Sequence, residues 1–308
     1  VKIVIVGPGA MGNLFAFFMS KTGEEIWLLD KEKDRADKIN KNGLIIEGIS
    51  GNHRVHVNQT TNPADIGEAD TIIICVKAYD TEKATEDSLP LIGKNTILLT
   101  LQNGSGNIET ISRIVGKEKV VGGTTSQGAT VLGLGHIRHA GRGETTIGEL
   151  DGSLSPRVKS ISSLFNSAGI DTRITDDVEG LVWSKLLINV GINALTAVLR
   201  LKNGELVEYG WARGLLRTAV EEAVLVVKAR GIRLTYEDPI KRVEDVCRAT
   251  ATNVSSMLQD VLRSKKTEID CINGAIVSEG ERLGISVPVN RTLTGIVKVI
   301  EMSYEKRL

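Results

Sequence analysis

Val1-Lys2-Ile3-Val4-Ile5-Val6-Gly7-Pro8-Gly9-Ala10-Met11-Gly12 decides the fold. The β-branched apolar run reads as a buried strand, and the Gly-x-Gly-x-x-Gly turn behind it opens a helix. Gly7 permits the tight turn, Gly9 lets the backbone approach a pyrophosphate, and Gly12 lets helix and strand pack closely. With Pro8, Ala10 and Met11 completing the loop, the helix N-terminus offers N–H groups and a positive dipole end to phosphates. Asp30 ends the second strand pattern. An acid there takes the ribose hydroxyls of NAD and repels the extra phosphate of NADP. Lys31, Lys33 and Arg35 follow at once, and a basic residue beside the ribose would neutralise that phosphate, so these residues leave the choice open.

Outward from this unit, short apolar runs alternate with helical patterns. Strands are expected at Ile3–Val6, Ile26–Leu29, Leu44–Ile46, Thr71–Val76, Thr96–Leu101 and around Val120–Gly122. Helices are expected at Met11–Lys21, Lys31–Lys41, Thr81–Leu89 and Asn107–Val115. That rhythm predicts βαβ units and a parallel sheet. Gly122–Glu149, rich in small residues, reads as antiparallel strands appended to that sheet. From about Asp176 the pattern turns helical, at Val178–Leu199, Trp211–Arg230, Ile240–Arg263, Thr267–Leu283 and Leu293–Tyr304, the last following the breaker Pro288. The chain therefore reads as α/β: a Rossmann-type dinucleotide-binding domain over residues 1–176, and an all-helical substrate domain over residues 177–308.

The 308 residues suit two such domains, and 41% hydrophobic content is enough for real cores. With 38 basic and 38 acidic side chains, the chain lacks the charge excess of a nucleic-acid or anionic-membrane binder. No apolar run approaches the ~18 residues of a membrane span, and the longest comparable stretch, Ile72–Val76, fits a buried strand. No signal peptide is read in the sequence, and a cytoplasmic location is expected. Cys75, Cys247 and Cys271 are odd in number and dispersed, which points to buried thiols rather than disulfides or zinc ligands. The pairs His53/His56 and His136/His139 fall in strand or turn patterns, where i and i+3 face opposite ways, and no metal is expected.

The second informative stretch is Trp183-Ser184-Lys185-Leu186-Leu187-Ile188-Asn189-Val190-Gly191-Ile192-Asn193-Ala194-Leu195. Lys185, Asn189 and Asn193 recur at i, i+4 and i+8 on one helix face among apolar residues. Such a helix is normally buried, and a buried lysine with two amides is costly without partners. A solvent-facing stripe would more usually carry Glu–Lys pairs than asparagine, so a lined cleft is the better reading. A further polar cluster spans Asn253–Asp260, Thr267–Asp270 and Ile272–Gly274; Thr267, Glu268 and Asp270 would equally suit a helix start.

Together these residues resemble the ketopantoate reductase (2-dehydropantoate 2-reductase) family over essentially the whole chain. The glycine loop, Val76-Lys77-Ala78, Gln102-Asn103-Gly104, the Lys185–Asn193 helix, Lys202–Leu206, Ser255–Asp260 and Thr267–Gly274 occur in family order. The resemblance implies a 6-phosphogluconate-dehydrogenase-like architecture and NADPH-dependent reduction of 2-dehydropantoate to (R)-pantoate, in pantothenate and coenzyme A biosynthesis. It implies Lys185 as general acid and Glu268 as its support. Asn103, Asn189, Asn193, Asn203, Asn253 and Ser256 match residues around the substrate, and Lys77 with Asn103 matches the junction of cofactor and substrate. The family commonly has arginine at the end of the second strand, where this chain has Leu29-Asp30-Lys31. Lys31 can stand in for it, whereas Asp30 leaves NAD(H) open beside NADP(H).

The chemistry agrees: hydride delivery to a 2-keto acid builds negative charge on the carbonyl oxygen, which a positioned lysine can neutralise and protonate. Two other readings keep the fold, a reductase of another branched 2-keto acid and a non-catalytic nicotinamide-binding regulator. The expected partner is a small 2-keto acid, not nucleic acid or membrane, and the apolar faces of Leu215–Val227 would allow a homodimer.

Overall fold

Why the chain folds as it does is clearest in how it covers the two faces of its first strand. A computed structural model describes residues 1–306. It divides into two compact units, one of residues 1–102 and 107–178, the other of residues 103–106 and the chain from Glu179 onward. The first unit contains β1 (Lys2–Val6), β2 (Glu25–Leu29), β3 (Leu44–Gly48), β4 (His53–Val55), β5 (Asn58–Thr60), β6 (Ala69–Ile74), β7 (Ile92–Thr100), β8 (Val120–Thr125), β9 (Gly128–Gly133), β10 (His136–Gly141), β11 (Thr145–Glu149) and β12 (Thr172–Ile174). Its helices are α1 (Ala10–Met19), α2 (Lys33–Asn42), α3 (Thr81–Asp87), α4 (Asn107–Val115) and α5 (Pro156–Ser167).

The main sheet runs β12-β11-β8-β7-β6-β1-β2-β5. Strands β5 to β8 in that order are parallel, and β11 pairs antiparallel with β8. Parallel strands covered on both faces read as continuous apolar runs, as β1 does. Ile3 and Ile5 join one core with Phe15, Phe17 and Phe165, while Val4 and Val6 join a second with Ile72, Ile74 and Ile111. The strand order reverses at β1, with β2 on one side and β6 on the other. That reversal is where open α/β sheets bind ligands.

The appended strands depart from expectation. Strands β8 and β11 do extend the main sheet, but β9 and β10 join β3 and β4 in a separate sheet, ordered β4-β3-β10-β9. The strand at Leu44 therefore leaves the main sheet, and its place beside β2 is taken by short β5. The second sheet packs on α1 through Leu44, Ile46 and Ile137. Covered from two sides, α1 is buried continuously from Gly12 to Met19.

The helical unit contains α6 (Val178–Leu199), α7 (Glu205–Glu208), α8 (Gly210–Ala229), α9 (Pro239–Ala249), α10 (Ser256–Leu262), α11 (Asn273–Leu283) and α12 (Pro288–Met302). Taken as an average rather than an unbroken run, α6 is long and apolar enough to cross a membrane, which the reading of uninterrupted runs missed; 67% of its most apolar window is buried inside the protein. At Gly191 a Cβ would lie 2.8 Å from Val243 Cγ1 and 2.9 Å from Val220 Cγ2, so only glycine lets α6 approach α8 and α9 so closely.

Two expected helices are broken. Ile240–Arg263 splits into α9 and α10, because the Ser255 side chain accepts the Leu258 N–H at 3.1 Å and starts a new helix. Between Thr267 and Ile272 the chain makes a turn with a short 3-10 segment, and α11 starts only at Asn273. Pro288, read as a breaker, is instead the first residue of α12, where its missing N–H costs nothing.

A buried polar cluster ties these helices together. Asn273 Nδ2 donates to Val190 O at 3.1 Å and to Asn290 Oδ1 at 3.0 Å. Asn290 Nδ2 donates to Ala219 O at 2.9 Å and to Glu222 Oε2 at 2.8 Å. Glu222 also accepts the Val289 and Asn290 N–H groups at 2.8 and 2.9 Å, at the start of α12. Asn290→Leu keeps the volume but strips partners from a buried carboxylate and a buried amide. It is expected to lower stability by about 2–3 kcal/mol, read as a reduced urea midpoint at unchanged m; an unaltered midpoint would mean the cluster is energetically idle.

Candidate active site

In the first unit the glycine loop is held by its own backbone. Gly7 lies at φ +92°, and its N–H donates to Leu29 O at 3.0 Å, so the loop adjoins the end of β2. A Cβ on Gly7 would lie 2.6 Å from Val76 Cγ1, and one on Gly12 2.2 Å from Gly7 O. Both glycines are thus required by the loop itself. Gly9 is different: a Cβ there meets nothing within 4 Å, so the protein's own atoms do not demand glycine. Asn13 Nδ2 holds Pro8 O at 3.1 Å. The first turn of α1 has neither a side-chain cap nor an acidic residue, which leaves its N–H groups and dipole to an anion. Open room at Gly9 above an uncapped helix start fits the pyrophosphate of a dinucleotide.

Asp30, just beyond β2, is buried. Its Oδ1 accepts from Glu32 N–H at 3.0 Å and from Arg35 Nη2; its Oδ2 accepts from Arg35 Nε and from Gln59 Nε2 at 3.0 Å. Lys31 is exposed and points to Asp80 Oδ2 at 3.1 Å. Lys77 is half-buried just past β6. Gln102, to which no separate role was given, fixes this strand end: its Nε2 donates to Val76 O at 2.7 Å and to Thr81 Oγ1 at 2.8 Å.

In the helical unit, none of the α6 stripe is exposed. Lys185 and Asn189 are half-buried and Asn193 is buried. Asn189 Nδ2 is enclosed with no hydrogen-bond partner. Desolvation lowers the Lys185 pKa to about 8, and the Glu268 charge acts in the opposite direction, toward the ammonium form. Near neutrality the amine stands close to its titration point, where it can both donate and accept a proton. Glu268 is buried, and it sits on the turn before α11 rather than in a helix. Thr267 N–H donates to Glu301 Oε1 at 2.6 Å, and Thr267 Oγ1 accepts the Ile269 N–H at 3.2 Å, which fixes that turn.

The other expected residues fall into linked pieces. Asn103 is half-buried in the segment 103–106 that packs with this unit. There Ser105 N–H donates to Cys271 O at 2.9 Å, and a Cβ on Gly104 would lie 2.7 Å from the same oxygen. Asn203 is buried; its N–H donates to Asn253 O at 3.1 Å and its Nδ2 to Thr250 Oγ1 at 2.9 Å, while its Oδ1 is enclosed without a partner. Asn253 itself is exposed on the α9–α10 turn. Ser256 opens α10, whose cap Ser255 bonds Thr196 Oγ1 at 2.7 Å, one turn beyond Asn193 on α6. Sequence reading missed Ser184 and Tyr236. Tyr236 Oη donates to Ser184 O at 2.6 Å and Thr235 N–H to Ser184 Oγ at 2.8 Å, pinning the helix beside Lys185. Partners some 50 residues apart leave no local pattern to find.

Residues 3–152 match the family model described as ketopantoate reductase PanE/ApbA, and residues 177–301 match its C-terminal model. The chain belongs to the ketopantoate reductase family. It is 36% identical to the 2-dehydropantoate 2-reductase of Halobacterium salinarum over 302 residues, 98% of this chain and 99% of that protein. It is also similar to the crystal structure of a PanE/ApbA family ketopantoate reductase from Ralstonia eutropha JMP134, with TM-score 0.92 and 31% identity over 99% of this chain and 100% of that one. A D-mandelate dehydrogenase solved with NADH and anilino(oxo)acetate has TM-score 0.92 and 27% identity, over 99% and 100% of the two chains. The ketopantoate reductase family is one of nicotinamide-dependent oxidoreductases, and this chain carries its α/β and helical domains.

Since Glu268 is the charge that favours the ammonium form of Lys185, Glu268→Gln is expected to move the Lys185 titration to lower pH. NMR of lysine labelled at Nζ reads the midpoint directly. A midpoint that rises would contradict the electrostatic coupling.

Proposed function

We propose that this protein reduces 2-dehydropantoate to (R)-pantoate, with NADPH as the favoured reductant and Lys185 as the proton donor. The observation that carries the reading is a desolvated lysine with its pKa near 8, coupled to a buried glutamate, in a chain of this family. A bound nicotinamide dinucleotide, its pyrophosphate held by the glycine loop, would supply the hydride. As charge builds on the carbonyl oxygen, the Lys185 ammonium donates a hydrogen bond and then the proton, leaving the alcohol and a neutral amine. Glu268 keeps enough of the amine protonated despite its burial.

Asn189 supports the same reading. Its enclosed, unpartnered Nδ2 is a donor whose desolvation has not been compensated within the protein, and a substrate hydroxyl or carboxylate would supply the acceptor. Asn103, Asn193, Asn203, Asn253 and Ser256 complete a set of neutral donors and acceptors suited to a hydroxy-keto acid, and Lys77 serves where cofactor and substrate meet. In this reading residues 1–176 bind the cofactor and residues 177–308 the substrate.

A second reading, reduction of a different 2-keto acid, has a specific observation behind it. The D-mandelate dehydrogenase of the same fold was solved with NADH and anilino(oxo)acetate. Turnover of 2-dehydropantoate against other branched and aromatic 2-keto acids, followed by loss of reduced-nicotinamide absorbance, separates the two. A kcat/KM at least about tenfold higher for 2-dehydropantoate is expected, and a preference for another keto acid would move the substrate assignment. Lys185→Ala should lower kcat by about 10²–10⁴-fold with cofactor affinity little changed. For the unaltered enzyme, kcat/KM for reduction should fall about tenfold per pH unit above about 8, as Lys185 loses its proton; a flat profile through pH 9 would remove Lys185 as the acid.

A further inference from the structure

The acid at the end of β2 is not available in the way its position suggests. An ionised carboxylate offers about four acceptor positions, and Asp30 already receives four hydrogen bonds, two on each oxygen, from Glu32 N–H, Arg35 Nε, Arg35 Nη2 and Gln59 Nε2. Its side chain is 1% exposed, whereas that of Arg35 is 25% exposed. A ribose diol would have to displace one of these bonds, and the bidentate guanidinium pair is the strongest kind of contact a carboxylate makes. The same pairing cancels the negative charge that would repel a phosphate. Arg35 uses Nε and Nη2 for Asp30, and its Nη1 edge has no protein partner among the described residues. Exposed Lys31, the next residue after Asp30, is paired with Asp80 Oδ2 at 3.1 Å, which leaves Arg35 as the group beside Asp30 with an open edge.

We propose that Arg35 sets the cofactor specificity of this chain: by closing both oxygens of Asp30 it converts an NAD-type acid into a structural anchor, and its remaining edge receives the 2′-phosphate of NADP(H). This rests on the dinucleotide reading of the glycine loop. Gln59, from β5, is a positioning residue, because it is buried and fills the last acceptor site of Asp30. The short β5 that replaces the Leu44 strand beside β2 is what brings Gln59 within reach.

Calorimetric titration of the whole protein with 5′-AMP and with adenosine 2′,5′-bisphosphate tests this without any turnover. The unaltered protein should bind the bisphosphate more tightly. Arg35→Gln should weaken the bisphosphate by at least about tenfold, the worth of one charge-assisted hydrogen bond, and shift the preference toward 5′-AMP as Asp30 regains free acceptors. Asp30→Asn, which releases the guanidinium from its counter-charge, should tighten the bisphosphate severalfold. The double variant, neutral on both sides, guards against misfolding of the single ones and should discriminate little between the two fragments. If the unaltered protein prefers 5′-AMP and Asp30→Asn weakens it, Asp30 reads the ribose and the proposal is wrong. It is equally wrong if both fragments bind and Arg35→Gln leaves their ratio unchanged. Failure of both fragments, NADH and NADPH to bind the unaltered protein would instead overturn the dinucleotide reading, and this inference with it.

Discussion

Holding one ammonium group partly out of water is the constraint on which the helical unit depends. Removing Lys185 from bulk solvent favours the neutral amine, and only a nearby negative charge restores part of the cationic form. That charge is itself buried, so its carrier must be fixed. Glu268 accordingly lies on a turn tied at Thr267, at Cys271 O and, one residue into α11, at Asn273. The helix that sequence periodicity extends through this segment is interrupted here, where Cys271 O accepts from Ser105 N–H in place of a helical partner. The cluster of Asn273, Asn290 and Glu222 then locks α11 and α12 against α6 and α8, so the helix that carries the amine is braced against the one that follows the Glu268 turn.

The first unit meets a different demand. A glycine loop is useful only if the helix behind it stays put, and α1 is fixed by burial on opposite sides, against the main sheet and against the smaller one. With three of its phenylalanines in that core, each burying on the order of 1.5–3 kcal/mol, α1 is among the most firmly held elements of the unit. The open space beside Gly9 is therefore kept by surrounding rigidity and not by any bond made at Gly9.

Local periodicity made much of this legible. The β1–loop–α1 stretch shows its strand, its turn and its helix within a dozen residues, and the Lys185/Asn189/Asn193 stripe is visible because helix geometry alone places those side chains together. What sequence reading could not reach is set by distant partners. Strand β5 is only three residues long and gains its place from β2 and from the Asn40–Gln59 hydrogen bonds. The separate small sheet arises because β10, the second strand of a hairpin with β9, finds β3, a pairing across some 90 residues. The break near Ser255 is a local cap on the Leu258 N–H, whereas the turn at Thr267 is held by distant Glu301. Asp30 is the sharpest case: its position was evident, but its occupation by Arg35 and Gln59 is a tertiary fact.

The residues between Asn103 and Gly106 belong to the helical unit although the chain on both sides of them belongs to the other. The two units are consequently not beads on a string that one cut could separate. A fusion near residue 178 would part the helical half from the four-residue piece that Cys271 grips, Asn103 included.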